Sequence, residues 1–257
     1  MDRMTLSDRL RLLTAGLLLL IYWSVCAVVL LPLSRLLPLL FPCGQAREIG
    51  QVIMKKFFRN VVGLLRFLDV VECDYVGFER LQAQTGPLIV APNHPSLWDA
   101  VFVMAEVDHV ACVLKASLMR NLFLRGGAAV AGFIPNEPVH KAMRRCLKLL
   151  RDNERVLFFP EGTRTRCEHG GMNPLTVGLA VIAKNSGAPV WPVYVQTNSP
   201  YLGKGWPLWR LPREKIRLRL TVGEPVLYPQ DGEPRAFLNE LRARYIEAGC
   251  GVQTPPL

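Results

Sequence analysis

The segment PLIVAPNHPSLWD, residues 87–99, contains the transition that decides the fold class. It opens with an apolar run over 87–91, which is typical of a strand buried on both faces of a sheet. Ser96 in the polar loop that follows is a favoured N-cap, and Asp99 at the N3 position predicts a capping box at the start of a helix. A buried strand that leads through a polar loop into a helix is the repeating unit of α/β sheets.

The same alternation of apolar runs and helical patterns continues on both sides of this segment. Strands are predicted near 71–76, 110–114, 129–134, 155–159, 189–195 and 215–223, and helices near 96–106, 117–125, 138–152, 174–185 and 234–247. This order predicts an α/β domain with a largely parallel central sheet flanked by helices. The strict alternation Lys-Ile-Arg-Leu-Arg-Leu over 215–220 predicts a half-exposed strand with a basic outer face.

The N-terminal region predicts a hydrophobic helical membrane anchor. Residues 12–34 contain no charged side chain, and about 20 apolar residues suffice to cross a bilayer as a helix. A cleaved signal peptide is the alternative, but the apolar stretch is longer than usual and no small-x-small cleavage site follows. Pro32 and Pro38 predict a kink or a helix end in this region.

A basic amphipathic helix is predicted over 50–68, which can lie in the membrane interface or pack on the domain that follows. Positive residues flank the apolar segment on both sides, so the positive-inside rule gives no clean orientation. The basic helix favours placing the main domain on the cytoplasmic face. The predicted division is an anchor with its amphipathic helix over 1–69, an α/β domain over 70–248 and a flexible tail over 249–257.

The formal net charge of +10 favours anionic partners: anionic lipid, phosphorylated substrates, an acidic carrier protein or nucleic acid. Nucleic acid is disfavoured, because no recognition motif is present and no aromatic residues interleave with a basic patch. The helix over 138–152 carries one basic stripe, which is either a solvated face or a contact for an anionic membrane or an acidic carrier protein. Its members are Lys141, Arg144, Arg145 and Lys148.

The chain has seven cysteines, an odd number, and none is in a C-x-x-C pair. A disulfide framework and a zinc site are therefore not expected, and scattered thiols fit a reducing compartment. No cluster of histidines, cysteines or carboxylates has the spacing of metal ligands. We accordingly predict neither a metal nor a cofactor.

Two loops carry residues suited to chemistry. In the first, Asp99 in the first turn of the predicted helix can reach His94, and a histidine held by a carboxylate is a general base. The second loop, FPEGTR over 159–164, ends the apolar run 156–159 at the sheet edge where open α/β sheets bind ligands. The plain alternatives are that Asp99 only caps its helix and that the second loop is an ordinary turn with an exposed salt bridge.

Together, the N-H-x-x-x-x-D pattern over 93–99 and the FPEGTR segment resemble the glycerolipid acyltransferase family, whose best-known members are the 1-acylglycerol-3-phosphate acyltransferases. The resemblance covers roughly residues 70–225. It implies that His94 and Asp99 are the catalytic pair and that the donor is acyl-CoA or acyl-carrier protein. It also implies an acceptor-binding role for the second loop, through Glu161, Gly162, Thr163 and Arg164.

One departure from the family pattern concerns the acceptor. The family usually has a G-x-x-F-I-x-R segment whose arginine contacts the acceptor's phosphate, and Asn136 stands at that position here. An asparagine cannot supply a charge-assisted fork. Lys115 and Arg125, together with Asn136, are the candidates for additional contacts with a phosphate or with the acyl donor. Segments around Lys115 and Arg125 resemble the acyltransferases of aryl polyene lipid clusters, which favours an alternative acceptor without a glycerophosphate.

The sequence therefore predicts a membrane-associated O-acyltransferase acting on a lipid hydroxyl. Two other classes stay open: a hydrolase that uses His94 to activate water, and a non-catalytic membrane scaffold that binds acyl carrier protein. A serine hydrolase is disfavoured because the sequence has no G-x-S-x-G elbow.

Overall fold

The computed structural model describes residues 5–166, 172–207, 210–212 and 214–252. The helices are α1 (Leu6–Leu40), α2 (Cys43–Phe67), α3 (Phe78–Gln82), α4 (Asp99–Glu106), α5 (Arg125–Val130), α6 (Val139–Arg151), α7 (Val177–Ser186) and α8 (Pro234–Glu247), with a 3-10 turn over Ala116–Arg120. The strands are β1 (Val71–Val76), β2 (Leu88–Pro92), β3 (Val110–Leu114), β4 (Ile134–Pro135), β5 (Arg155–Leu157), β6 (Val190–Thr197), β7 (Ile216–Val222) and β8 (Gly251–Val252).

The strands form one sheet in the order β1-β7-β6-β2-β5-β3-β4, with β8 paired to the end of β6. Neighbouring strands are parallel except for β6 and β7. The predicted largely parallel sheet is confirmed. Strands β2 to β6 therefore end at one edge of the sheet, called here the carboxyl edge. The short strand β8 lies in the segment that we expected to be a loosely ordered tail.

Helices cover both faces of the sheet, and β2 shows why its sequence is apolar throughout. Val90 packs into the cluster beneath α2 and α4, whereas Ile89 and Ala91 pack into the cluster beneath α6, α7 and α8. All five residues of β2 are buried. A strand with a helix layer on each side must be apolar at every position, which is the pattern of 87–91.

Strand β7 has the predicted alternation, but its outer face is not uniformly basic. The apolar residues of β7 face the core, and Arg217 and Arg219 are exposed. Each arginine lies 3.6 Å from a carboxylate of the neighbouring β1, Arg217 beside Glu72 and Arg219 beside Asp74. The charges of this face are therefore paired across the two strands.

The predicted strand over 129–134 and the predicted helix over 117–125 are both wrong. The chain forms a 3-10 turn and then α5, and only Ile134 and Pro135 are extended. The small residues of α5 explain the difference, because α5 crosses α1 at close range. A Cβ on Gly126 would lie 2.8 Å from the backbone nitrogen of Leu31. Tight helix packing thus overrides the local strand pattern.

Helix α1 is continuous over 35 residues, with Pro32 and Pro38 inside it. The expected break near these prolines is not seen, and the helix ends just before Pro42. Among the described residues, α1 is the one helix long and apolar enough to cross a membrane, and 17% of its most apolar window is buried. That low burial distinguishes it from the core helix of a globular domain. Its buried positions nevertheless extend from Leu12 to Leu37, so one face packs on the domain along most of its length.

Helix α2 begins at Cys43, earlier than predicted, and runs back along α1. Phe57 stacks on Tyr22 of α1 with ring centroids 5.1 Å apart and is buried in the domain core. Of its predicted basic residues, Lys55 pairs with Asp108 and Arg59 with Glu106. The structure therefore favours packing on the domain over a position in the membrane interface for this helix.

Candidate active site

The first loop follows β2 at the carboxyl edge, beside the neighbouring strand β6. Asn93 is fully buried, and its side chain bonds the backbone of Val195 in both directions. The amide nitrogen donates to the Val195 carbonyl at 2.9 Å, and the Val195 N–H donates to the amide oxygen at 2.7 Å. These two hydrogen bonds take the place of backbone pairing with β6, and they fix the position of His94, the next residue of the loop.

His94 and Asp99 are in contact: the distance between Nδ1 of the ring and Oδ2 of the carboxylate is 2.9 Å. The backbone N–H of Ser96 donates to the same oxygen at 2.7 Å. This bond is one half of the predicted capping box; the other half is absent, because the Ser96 hydroxyl accepts the N–H of Trp98 at 3.3 Å and not that of Asp99, where α4 begins. The carboxylate folds back over the loop instead of the helix end, which is what brings it to the imidazole.

The surroundings of the pair suit a general base. Complete burial raises the pKa of the Asp99 carboxyl, and the hydrogen bonds from His94 and Ser96 oppose that shift. Because Asp99 occupies Nδ1, Nε2 is the ring nitrogen left to meet a substrate. The imidazole stacks on Phe159 from the second loop, with centroids 4.2 Å apart, and its side chain is 16% exposed. The histidine is therefore held on two sides and accessible at one nitrogen.

Glu161 joins the second loop to the first. Its carboxylate is buried; Oε1 accepts from the N–H of His94 at 3.0 Å and from the Thr165 hydroxyl at 2.8 Å, and Oε2 accepts from the N–H of Asn173 at 2.9 Å. Burial raises the pKa of this carboxyl, and the same hydrogen bonds oppose the shift. The sequence assigned Glu161 to the acceptor. The hydrogen bonds that its carboxylate makes within the protein run to His94, Thr165 and Asn173.

The other residues of the second loop lie at the carboxyl edge. Gly162 has a φ of 65°, a left-handed conformation that favours glycine. The exposed Thr163 hydroxyl accepts a hydrogen bond from Lys204 at 3.0 Å. Arg164 is half-buried, and its NH1 donates to the carbonyls of Leu202 and Gly203 at 2.8 and 3.0 Å. Part of its donor fork is thus used within the protein.

The segment after β6 is a part of the site that the sequence analysis missed. Besides its contacts with the second loop, it bonds the first loop: the Ser96 hydroxyl donates to the Tyr201 carbonyl at 3.1 Å, and the Leu97 N–H donates to the Leu202 carbonyl at 3.1 Å. The signal available was YLGKGW over 201–206, in which a lysine stands between two glycines and two aromatic residues.

The three remaining candidates follow β3 and β4 or begin α5. Lys115 is exposed after β3. Asn136 follows β4, and its side-chain oxygen accepts the N–H of Ala116 at 2.9 Å. Arg125 is half-buried at the start of α5, and its Nε is buried without a hydrogen-bond acceptor among the described residues. Lys115 and Asn136 therefore lie at the same carboxyl edge as His94, and the side-chain oxygen of Asn136 is hydrogen-bonded to the backbone of Ala116.

An apolar cavity of about 330 Å³ opens beside the first loop. Ser96 and Trp98 form its polar end, and Leu12, Ala15 and Leu19 of α1 form one wall. The opposite wall comes from β7, through Ile216 and Leu218. The cavity thus lies between the N-terminal half of α1 and the sheet, next to the residues that bond Asp99.

A model of the family described as Acyltransferase matches residues 73–196, a range that contains both loops. Over this range, just under half of its length, the chain is similar to that family. The resemblance inferred from the two motifs is confirmed. Among the described residues, those of the two loops follow two neighbouring strands of this domain, β2 and β5.

Three relatives carry the name 1-acyl-sn-glycerol-3-phosphate acyltransferase. The protein from Pseudomonas aeruginosa is 24% identical over 222 residues, which is 83% of this chain and 82% of the relative. The protein from Saccharomyces cerevisiae is 30% identical over 60% of this chain and 51% of its own length, and the chloroplast protein from Brassica napus is 25% identical over 59% and 46%. The chain therefore matches about half the length of the yeast and plant relatives.

The fold has a solved counterpart. The crystal structure of the 1-acyl-sn-glycerophosphate (LPA) acyltransferase PlsC from Thermotoga maritima aligns with a TM-score of 0.64 at 21% identity. The alignment covers 93% of this chain and 97% of that chain. A match of that extent includes most of the N-terminal helices, so the arrangement of α1 and α2 against the sheet is part of the shared fold.

Proposed function

We propose that this chain transfers a fatty acyl group from a thioester donor to the hydroxyl of a lysophospholipid-like acceptor. The observation that carries the proposal is the 2.9 Å contact between His94 and Asp99 beside the apolar cavity of about 330 Å³. Acyl transfer to a lipid needs a base for the hydroxyl and an apolar space for hydrocarbon, and here the two are adjacent. The names of the relatives support a glycerolipid acceptor.

In the proposed mechanism, His94 acts first as base and then as acid. The acceptor hydroxyl gives its proton to Nε2 while its oxygen attacks the thioester carbonyl, and Asp99 stabilises the imidazolium that forms. The tetrahedral intermediate collapses, the C–S bond breaks, and the leaving sulfur takes the proton back from Nε2. An ester and a free thiol are produced, and no acyl-enzyme forms.

The cavity is the proposed site of an acyl chain. Its polar end, at Ser96 and Trp98, adjoins the loop that holds His94, and its far walls are the leucines of α1 and the apolar side of β7. Burial of a chain there gains roughly 0.8 kcal/mol for each methylene removed from water. This binding energy would hold the reacting carbon near the base, which is where positioning contributes to the rate.

The exposed face of α1 is the proposed membrane contact. Leu13, Leu17, Ile21 and Val28 are each more than half exposed, although all are large and apolar. A face of this kind is stable in the apolar boundary of a bilayer. The helix also packs on the domain, so we infer that the exposed face holds the carboxyl edge at the membrane surface, on the cytoplasmic side, where acyl-CoA and acyl-carrier protein are both available as donors.

A second candidate, a specialised lipid acceptor without a glycerophosphate, is favoured by Asn136. This residue stands where the family places a phosphate-binding arginine, and its oxygen is bonded to the backbone of Ala116. It supplies no cation to an acceptor. Acceptors of the aryl polyene type would not need one.

The test is acyl transfer by the detergent-purified chain. Labelled acyl-CoA and acyl-carrier protein are each offered with lysophosphatidic acid, other lysophospholipids and unphosphorylated lipid alcohols. We expect a labelled lipid ester that is lost in His94→Ala, lowered about 10³- to 10⁴-fold in Asp99→Asn, and unchanged in His140→Ala, which removes an exposed histidine of α6. The productive acceptor decides between the two candidates.

Other outcomes would contradict the proposal. Transfer that survives His94→Ala excludes the general-base mechanism. Release of free fatty acid without any acceptor ester identifies a hydrolase. Carrier protein that binds the wild type and His94→Ala equally, without turnover of any acceptor, identifies a scaffold.

A further inference from the structure

A second pocket, of about 190 Å³, lies at the end of the molecule opposite the carboxyl edge. Its lining includes Ser34, Leu37, Cys43, Arg47, Gly132 and Arg145. Gly132 precedes β4, and Arg47 pairs with Glu154, which precedes β5. The pocket is therefore separated from His94 by the length of these strands and is not part of the proposed acyl-transfer site.

Arg47 is built into this pocket. Its guanidinium pairs with Glu154, and its Nε is buried without a hydrogen-bond acceptor among the described residues. Gly132 has a φ of 66°, and a Cβ at this position would lie 2.7 Å from Cδ of Arg47. The absence of a side chain at Gly132 is thus what leaves room for the arginine. A buried donor without an acceptor is costly, and an oxygen of a ligand would satisfy it.

Arg145 supplies the second guanidinium. It belongs to the basic stripe of α6, but unlike the other members of that stripe it lines the pocket. Its NH2 makes a long contact of 3.4 Å with the Gly132 carbonyl, and it has no ion pair among the described residues. Of the two guanidinium groups that line the pocket, Arg47 is paired with Glu154, and Arg145 is left to meet the charge of a phosphodiester.

The wall formed by α1 favours the phosphate of a lipid headgroup over a free phosphate ion. Leu37 and Pro38 line the pocket, and the next positions, Leu39 and Leu40, are 81% and 63% exposed. Apolar side chains exposed beside an arginine pocket offer a surface for acyl chains next to a site for a headgroup. A free phosphate ion would use only the arginines.

We propose that this pocket binds the phosphate of an anionic membrane phospholipid and thereby holds the turn between α1 and α2 at the membrane. The lipid bound here is not a substrate, because the strands separate it from the proposed base. The site supplies a second point of membrane contact, at the other end of α1 from the apolar cavity.

The experiment uses the full chain in maltoside micelles, without acyl donor. Short-chain phosphatidylglycerol, phosphatidylcholine and inorganic phosphate are titrated separately, and the rise in melting temperature gives an apparent Kd. We compare Arg145→Ala with Arg144→Ala, which removes the same charge from the adjacent position of α6, outside the pocket lining. Arg47→Lys keeps a cation beside Glu154 and removes Nε.

We expect phosphatidylglycerol to bind the wild type and Arg144→Ala alike, and to bind Arg145→Ala and Arg47→Lys about tenfold more weakly or worse. Phosphatidylcholine and inorganic phosphate should stabilise none of the four proteins to a comparable degree. Equal weakening in Arg144→Ala and Arg145→Ala would mean that the general charge of α6 attracts the lipid, and would overturn the site. Equal protection by inorganic phosphate would overturn the lipid assignment, and equal binding to all four proteins would overturn both.

Discussion

The substitution Glu161→Gln separates two roles for a residue that lies in the acceptor motif. Its carboxylate accepts from the backbone of His94, the hydroxyl of Thr165 and the backbone of Asn173. The amide has the same shape, but one of its two positions becomes a donor. In the better orientation the amide oxygen keeps the contacts with His94 and Thr165, and the amide nitrogen then faces the N–H of Asn173.

The expected effect is therefore on stability. Leaving a buried donor unsatisfied costs about 1–3 kcal/mol, and each kcal/mol lowers the melting temperature of a chain of this size by about 2–4 °C. We expect a fall of about 2–12 °C. Because the bond to His94 is retained, kcat should fall less than about tenfold, far from the hundredfold that a misplacement of about 1 Å can cost.

The assay compares melting temperature, kcat and acceptor KM for the wild type, Glu161→Gln and a control, Glu79→Gln. Glu79 is an exposed carboxylate on α3 and should show no change in any of the three. An unchanged melting temperature together with a large rise in the acceptor KM would refute the structural reasoning. That result would mean that Glu161 contacts the acceptor directly, as the motif alone suggests.

Two further predictions concern the cavity and the thiols. Ala15 lines the cavity and is 1% exposed, so Ala15→Leu should fill part of the cavity and shift the preference towards shorter acyl donors. Competition among donors of different chain length measures this preference, and Thr14→Leu, on the exposed side of α1, is the control. An unchanged preference would mean that the acyl chain binds elsewhere. Burial raises the pKa of Cys73 to about 11 and that of Cys112, Cys146 and Cys250 to about 12, so at pH 8 these thiols stay protonated and should resist iodoacetamide until the chain is unfolded. Peptide mapping checks this, and rapid alkylation of any of the four in the folded protein would contradict it; Cys167 lies outside the described residues.

The parts of the fold that sequence predicted best are those in which one local pattern has one structural solution. The apolar run over 87–91 can be satisfied only with cover on both faces, and β2 has it. The alternation over 215–220 likewise predicted a strand with one exposed face, and β7 has one. The loops at 93–99 and 159–164 are far apart in sequence but lie at one edge of the sheet, because they follow the parallel neighbours β2 and β5.

The parts that sequence did not predict depend on neighbours that are distant in sequence. The segment around Gly126 and Gly127 has no helical pattern of its own and is helical because small residues let α5 approach α1. Pro32 and Pro38 suggested a break, yet α1 continues through both, and it has buried positions on either side of Pro32, at Leu30 and Leu37. Ser96 was expected to cap α4 with its hydroxyl on the N–H of Asp99, but the hydroxyl accepts the N–H of Trp98.

Without an arginine at position 136, the charge of an acceptor phosphate must be met by other residues at the carboxyl edge. The carboxylate of Glu161 accepts internal hydrogen bonds, and Arg164 supplies the positive charge of the motif. Lys204 bonds the Thr163 hydroxyl from the segment after β6, and two backbone carbonyls of that segment hold Arg164. Arg164 of the second loop and Lys204 of the segment after β6 are thus two cations available at this position. If an acceptor phosphate is bound, Lys204→Ala should raise its KM, whereas Asn136→Arg should add affinity only after Asn136 gives up its bond to Ala116.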